Sequence, residues 1–275
     1  MVTHQKEHEP MVPCRRSFIS DSPLLFQRLM ALITTLLLTL PNLNADETGK
    51  QVWLDVNPRW YSKGDLKVTG EFGVRQSLNQ KEWTSYVVKP SLAYSLSHGF
   101  DIGAGLGMNY THNIDVDAFT LPDRFAVVPF QGLNYVYLLT KRWKINAYLR
   151  LEEKFDYDTD DWDSRNSLRV RLRLRGIYEF AAYQKERYFR ATLSWEGFKT
   201  ATGDDGFMTD KSRITLGLER SFTHNQKGRI ELTWQRQSLG LVSGDAFDDY
   251  SDIYLRVRYY PSWGDVIRNK FWHSD

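Results

Sequence analysis

The chain has 275 residues, with 36 Lys and Arg against 34 Asp and Glu, a formal charge of +2. That balance gives no argument for a nucleic-acid partner, and the single cysteine, Cys14, leaves the body of the chain without a disulfide framework or a thiolate metal site. A mean hydropathy of −0.50 reads as soluble, but that test is blind to barrels whose strands alternate lipid-facing and lumen-facing residues.

Residues 1–45 read as a cleaved export signal. Arg15, Arg16 and Arg28 precede an apolar run at 29–40, "LMALITTLLLTL", with cleavage expected after Ala45. Those twelve residues are too few to span a bilayer as a helix. The long stretch before Arg15 makes Met11 or Met30 alternative starts. "RRSFI" has a twin-arginine look, but a transmembrane barrel must be exported unfolded, which argues against that route.

After residue 46 the helical period disappears. Period-2 runs of roughly ten residues follow, at about 51–61, 66–77, 84–96, 100–112, 125–138, 143–155, 167–180, 188–198, 212–222, 229–238 and 250–260. In 66–77, Leu66, Val68, Phe72 and Val74 oppose Lys67, Thr69, Glu71 and Arg75. In 143–155, Ile145, Ala147, Leu149 and Leu151 oppose Lys144, Asn146, Tyr148, Arg150 and Glu152. The sharpest case is "NSLRVRLRLRG" at 166–176, where Arg169, Arg171, Arg173 and Arg175 alternate with Leu168, Val170, Leu172 and Leu174. The run 125–138 alternates poorly and contains Pro129, which leaves its register undefined.

The connections alternate too. "SKGD", "SHG", "TKRW", "AAYQKER" and "THNQKG" are short and mostly basic, whereas "NIDVDAFTLPD", "DYDTDDWDSRN", "TATGDDGFMTD" and "GDAFDDY" are longer and acidic. Outer-membrane barrels have short periplasmic turns and longer outer loops. Trp60, Tyr61, Phe100, Trp143, Phe180, Tyr188, Phe222 and Tyr260 beside the short turns read as an interfacial girdle. The fold class is therefore an all-β, antiparallel up-and-down transmembrane barrel of 10–12 strands over 46–260, followed by a tail at 261–275. Placing both chain ends in the periplasm requires an even number, at odds with the eleven runs. The competing architecture is a secreted sandwich or lipocalin-like binding barrel with an aliphatic core.

The mature chain resembles the uncharacterised Gram-negative outer-membrane barrels grouped as domain-of-unknown-function family 2490. The resemblance rests on Trp53 in "QVWLDV", on "WYSKGDLKVTGEFGVR" ending in Arg75, and on the Arg-x-Arg strand at 169–175. It implies an outer-membrane barrel, with outer-membrane lipids and the barrel-assembly machinery as partners. It implies no activity.

In such a barrel a lipid-facing arginine at the midplane costs roughly 2–4 kcal/mol, so the four arginines must point inward. The candidate site is a lumen charge ladder of Arg150, Glu152, Arg169, Arg171, Arg173, Arg175, Arg190, Glu196, Glu219, Arg256 and Arg258. It serves either as a structural ion-pair network or as a narrow passage favouring an anionic solute. Arg220 and Arg236 fall in the outward phase and are tolerable only near an interface.

A lipid-modifying outer-membrane hydrolase is the enzymatic alternative. It needs a histidine base, and of His98, His112, His224 and His273 only His112, near the outer rim, is placed for one. No serine nucleophile motif accompanies it, so the hydrolase stays the weaker alternative to a non-enzymatic barrel. "DYDTDDWD" fails as an EF-hand loop because Asp161 replaces the glycine and Ser167 the final glutamate. The weaker expectation there is divalent cations shared between acidic loops and lipid headgroups. No cofactor and no resident metal are expected.

Overall fold

The computed structural model describes residues 48–78, 83–113, 122–184, 187–203, 207–223, 226–241 and 248–261. The expected export signal and nearly all of the 261–275 tail lie outside them. The strands are β1 (Thr48–Val56), β2 (Arg59–Lys63), β3 (Leu66–Thr69), β4 (Phe72–Ser77), β5 (Trp83–Val88), β6 (Ser91–Ser95) and β7 (Phe100–Asn113). Then come β8 (Arg124–Leu138), β9 (Trp143–Asp158), β10 (Ser164–Gln184), β11 (Arg187–Gly203), β12 (Phe207–Thr223), β13 (Gln226–Leu241) and β14 (Asp248–Tyr260). The first six are half-length: β1 and β2, β3 and β4, and β5 and β6 each make one broken stave. The wall is a closed barrel of eleven staves.

The three breaks form one row. They fall at Asn57–Pro58, Gly70–Glu71 and Lys89–Pro90, and are tied by Gly70 N to Pro58 O at 2.9 Å and Lys89 N to Glu71 O at 2.8 Å. Leu106 N donates to Pro90 O at 3.1 Å from the neighbouring stave. Proline offers no ladder donor, so the chain bends where Pro58 and Pro90 interrupt the pairing. Gly70 lets the indole of Trp60 lie where a Cβ would sit 2.6 Å from it. Pro129 in β8 is absorbed differently. Val128 and Pro129 drop out of the ladder to β9 while Val127↔Phe155 and Phe130↔Glu152 keep one register.

An odd stave number overturns the parity expectation. The barrel closes by pairing β1 with β14 in parallel, Val52 opposite Leu255 and Leu54 opposite Val257. Closure requires only that every edge be paired, and a parallel ladder does this with a slight loss per residue. The described chain thus enters at the long-connection end, where Thr48 meets Ser251, and leaves at the short-turn end, where Val56 meets Tyr259.

Several expected loops prove to be wall. β9 and β10 continue through most of the acidic 156–165 segment, pairing Tyr157 with Ser164 and leaving only 159–163 as turn. Asp158 there is neutralised by Arg124 at 3.4 Å and Arg165 at 3.3 Å, which lets an acidic hairpin stay zipped.

Polarity is inverted relative to a soluble barrel. Outward positions such as Leu54, Leu92, Leu193 and Leu216 are more than half exposed. Inward positions such as Glu152, Glu219, Glu231 and Thr233 are buried. The aliphatic core required by a lipocalin-like barrel is absent from the described interior.

Six of the eight girdle aromatics stand on the outer side or at its edge; Trp143, for example, packs on Tyr178 at 4.7 Å and Phe180 on Phe189 at 5.9 Å. Tyr188 and Tyr260 are corrections. They share the inward phase of Arg190 and Arg258, and Tyr188 donates to the Glu219 carboxylate at 3.1 Å. Arg220 takes the outward phase, with its guanidinium 5.2 Å from the Phe189 ring centre and 5.7 Å from that of Phe222.

Candidate functional site

All eleven ladder residues expected in the lumen carry their side chains inward, and the register decides which are neutralised. On the β9 side Arg169, Arg171, Arg173 and Arg175 lie opposite Glu152, Arg150, Tyr148 and Asn146. On the β11 side they face Thr200, Phe198, Glu196 and Ser194. Two carboxylates therefore serve four guanidiniums. Glu152, wholly buried, is bonded by Arg150 and Arg169 and lies 3.8 Å from Arg171. Glu196 takes Arg171 at 2.6 Å and Arg213, its register partner on β12, at 3.5 Å.

Nothing is left for the lower pair. Arg173 lies across from Glu196 but makes no ion pair with it; its guanidinium stands over the Tyr148 ring at 5.1 Å. Arg175 has no ion pair among the described residues. The Nε atoms of both are buried without an acceptor. Unit charges two strand positions apart, about 7 Å, repel by about 2 kcal/mol at an effective dielectric of 20.

Elsewhere carboxylates and cations interlock. Glu219 accepts from Arg229 Nε at 2.9 Å and pairs with Lys227 at 3.2 Å and Arg190 at 3.6 Å. Glu231 holds Arg258 at 3.1 Å and Arg229 at 3.3 Å. Glu71 binds Lys89 at 2.9 Å and Arg256 at 3.2 Å, and Asp55 is bonded to Arg256. Aromatic rings fill the gaps. Trp53 stacks on Tyr254 at 4.0 Å under Arg75, while Arg213 lies over Phe198 at 4.6 Å. Arg150 lies over Phe130 at 4.2 Å, and the Phe130 ring occupies the space that a Cβ on Gly105 would need. Guanidiniums stacked on rings lose less on desolvation than ammonium groups would. Trp53, Tyr254 and Phe198 are each less than a tenth exposed, so their rings are packed inside the lumen.

Asp55 was not singled out from the sequence although its signal is present. Gln51, Trp53 and Asp55 alternate with Val52, Leu54 and Val56, and the parallel seam brings Asp55 opposite Arg258. Glu179, which pairs with Arg190 at 2.9 Å, continues the inward phase of the ladder beyond Arg175.

At the long-connection rim His112 Nδ1 meets Asp123 at 2.9 Å, Asn113 N donates to the same carboxylate at 3.0 Å, and the Tyr110 hydroxyl is bonded to it as well. The Tyr110 hydroxyl, followed by His112, holds Asp123 below the usual carboxylate range. Among the described residues the His112 ring is bonded by Asp123 and by no serine or threonine hydroxyl. His98 occupies a turn, and His224 and His273 lie outside the described residues. Asp156 is bonded to Lys154, and with Asp158 it is one of two hairpin carboxylates paired with cations of the chain.

At the opposite mouth a vestibule of about 410 Å³ opens below the row of breaks. Its wall includes Arg59, Glu71, Lys89, Tyr188, Lys227 and Tyr260.

With that interior in view, the comparison with known families is specific. Residues 50–248 match the family described as protein of unknown function (DUF2490). The chain belongs to this family. No curated protein matches the chain. The matched span runs from β1 into the start of β14 and so includes Trp53, Arg75 and the whole β10 ladder.

Proposed function

We propose that the chain is an integral outer-membrane barrel whose lumen is closed at mid-height by its own ion-paired side chains, and that its role is structural rather than that of an open pore. The inverted polarity carries this reading. An exposed belt of Leu54, Leu92, Leu149, Leu172, Leu193 and Leu216 surrounds buried Glu152, Glu196 and Glu231, an arrangement unfavourable in water and favourable in lipid. The short turns then face the periplasm and the acidic hairpins the outside. On this reading, with β1 parallel to β14, the start of β1 lies on the outer side and the end of β14 on the periplasmic side.

Two measurements test this. The protein is expected in the outer-membrane fraction, requiring detergent for extraction and migrating faster on gels before boiling than after. Recovery as a soluble monomer without detergent contradicts it. An epitope inserted just ahead of Thr48 is expected to bind antibody on intact cells. Binding only after permeabilisation would reverse the orientation.

A further inference from the structure

We propose that Arg173 and Arg175 form a binding site for one small tetrahedral oxyanion, phosphate or sulfate, reached from the short-turn mouth of the lumen. Both guanidiniums project from one face of β10, and their Cα atoms lie about 7 Å apart by strand geometry. That spacing lets two planar forks close on a single tetrahedral anion.

Three observations point to a ligand rather than to idle charge. First, neither residue has an ion pair among the described residues. Glu196, directly across from Arg173, is held by Arg171 at 2.6 Å and Arg213 at 3.5 Å, and Arg175 lies between Asn146 and Ser194. Second, the buried Nε of each residue has no acceptor, although such donors in an interior are nearly always satisfied. Third, the groups facing them across the lumen add positive charge. Arg258 lies within electrostatic range of both and Arg229 within range of Arg175. The facing carboxylate, Glu231, is already shared by Arg229 and Arg258.

The approach carries more cations than carboxylates. Arg59, Lys89 and Lys227 line the vestibule, and Tyr260 belongs both to its wall and to the surroundings of Arg175. Of these, Lys89 is paired with Glu71 in the same wall and Lys227 with Glu219. A guanidinium fork matches an oxyanion better than a halide, because paired N–H groups meet paired oxygens.

The site belongs to the lumen and does not depend on which membrane holds the barrel. The test uses the refolded full-length barrel in neutral detergent, with urea unfolding followed by tryptophan fluorescence. Sodium phosphate is titrated at ionic strength held constant with chloride. Phosphate is expected to raise the unfolding midpoint saturably. Arg173→Gln or Arg175→Gln should raise the half-saturating concentration about tenfold or more, the loss of one charged hydrogen-bond donor. The double glutamine variant should lose the response and be at least as stable as the parent in phosphate-free buffer. Should that variant fail to fold, the double lysine variant decides. It keeps the charge without the fork, so weaker half-saturation supports the site and an unchanged value overturns it. Identical responses of parent and double glutamine variant also overturn it. So does protection by dihexanoyl phosphatidylglycerol without protection by inorganic phosphate, which would make a lipid headgroup the source.

Discussion

Arg169 and Arg171 share a strand, a face and a chemistry with Arg173 and Arg175, yet the two pairs live in different electrostatic worlds. The upper pair has Glu152 and Glu196 within bonding distance; the lower pair has a tyrosine ring, an asparagine and a serine beside it, and across from Arg173 a Glu196 that is bonded to Arg171 and Arg213 instead. What separates them is not the arginine strand but the neighbours that the register delivers. A run of like charges is therefore not one site. It is cut into functional parts by the staves on either side.

The largest contrast is expected from removing one charge in each half. Glu152→Gln leaves Arg150, Arg169 and Arg171 without their buried carboxylate and should cost about 3–5 kcal/mol of unfolding free energy. Arg173→Gln should cost less than about 1 kcal/mol or stabilise, since it relieves a repulsion of about 2 kcal/mol. Urea titrations of both variants in one lipid or detergent system measure the difference, and equal losses would erase the distinction between the halves.

Moving the charge through the wall sharpens the comparison. Leu172 stands between Arg171 and Arg173 on the outer face and is 39% exposed. Leu172→Arg in lipid vesicles should cost about 2–4 kcal/mol. A neutral result would mean that this face does not meet hydrocarbon.

A smaller effect is expected at Tyr148, the platform under Arg173. Tyr148→Leu removes a cation–π contact of about 0.5–2 kcal/mol. It should weaken the lower pair without changing the cost of Glu152→Gln, which a double-mutant cycle checks.

The rim gives the smallest term. Asp123 has its pKa lowered on folding by Tyr110 and His112. Its contribution is present above the unfolded carboxylate value of about 4 and is lost as pH falls through the lower folded value. Asp123→Asn should flatten the acid limb of the stability–pH curve. An unchanged limb would detach that contact from stability.

Much of this was legible in the sequence because a period of 2 survives any tertiary context. The inward phase of 169–175 and the outward leucines both follow from alternation. The same rule would have turned Tyr188 and Tyr260 inward had they been read by phase rather than by nearness to a turn. Stave number was visible as eleven runs, but a parity argument set it aside, because a parallel closing seam leaves no local mark in β1 or β14. The division of the arginine ladder was not legible at all. Which carboxylate meets which guanidinium depends on register across β9, β10, β11 and β12, and shifting one stave by two residues would reassign Glu196.

The central claim is a lumen sealed by paired charges, and conductance tests it most directly. Refolded protein inserted in planar bilayers, with insertion verified independently, should show no steady ionic current at moderate voltage. Reproducible single-channel steps from the parent protein would contradict the account.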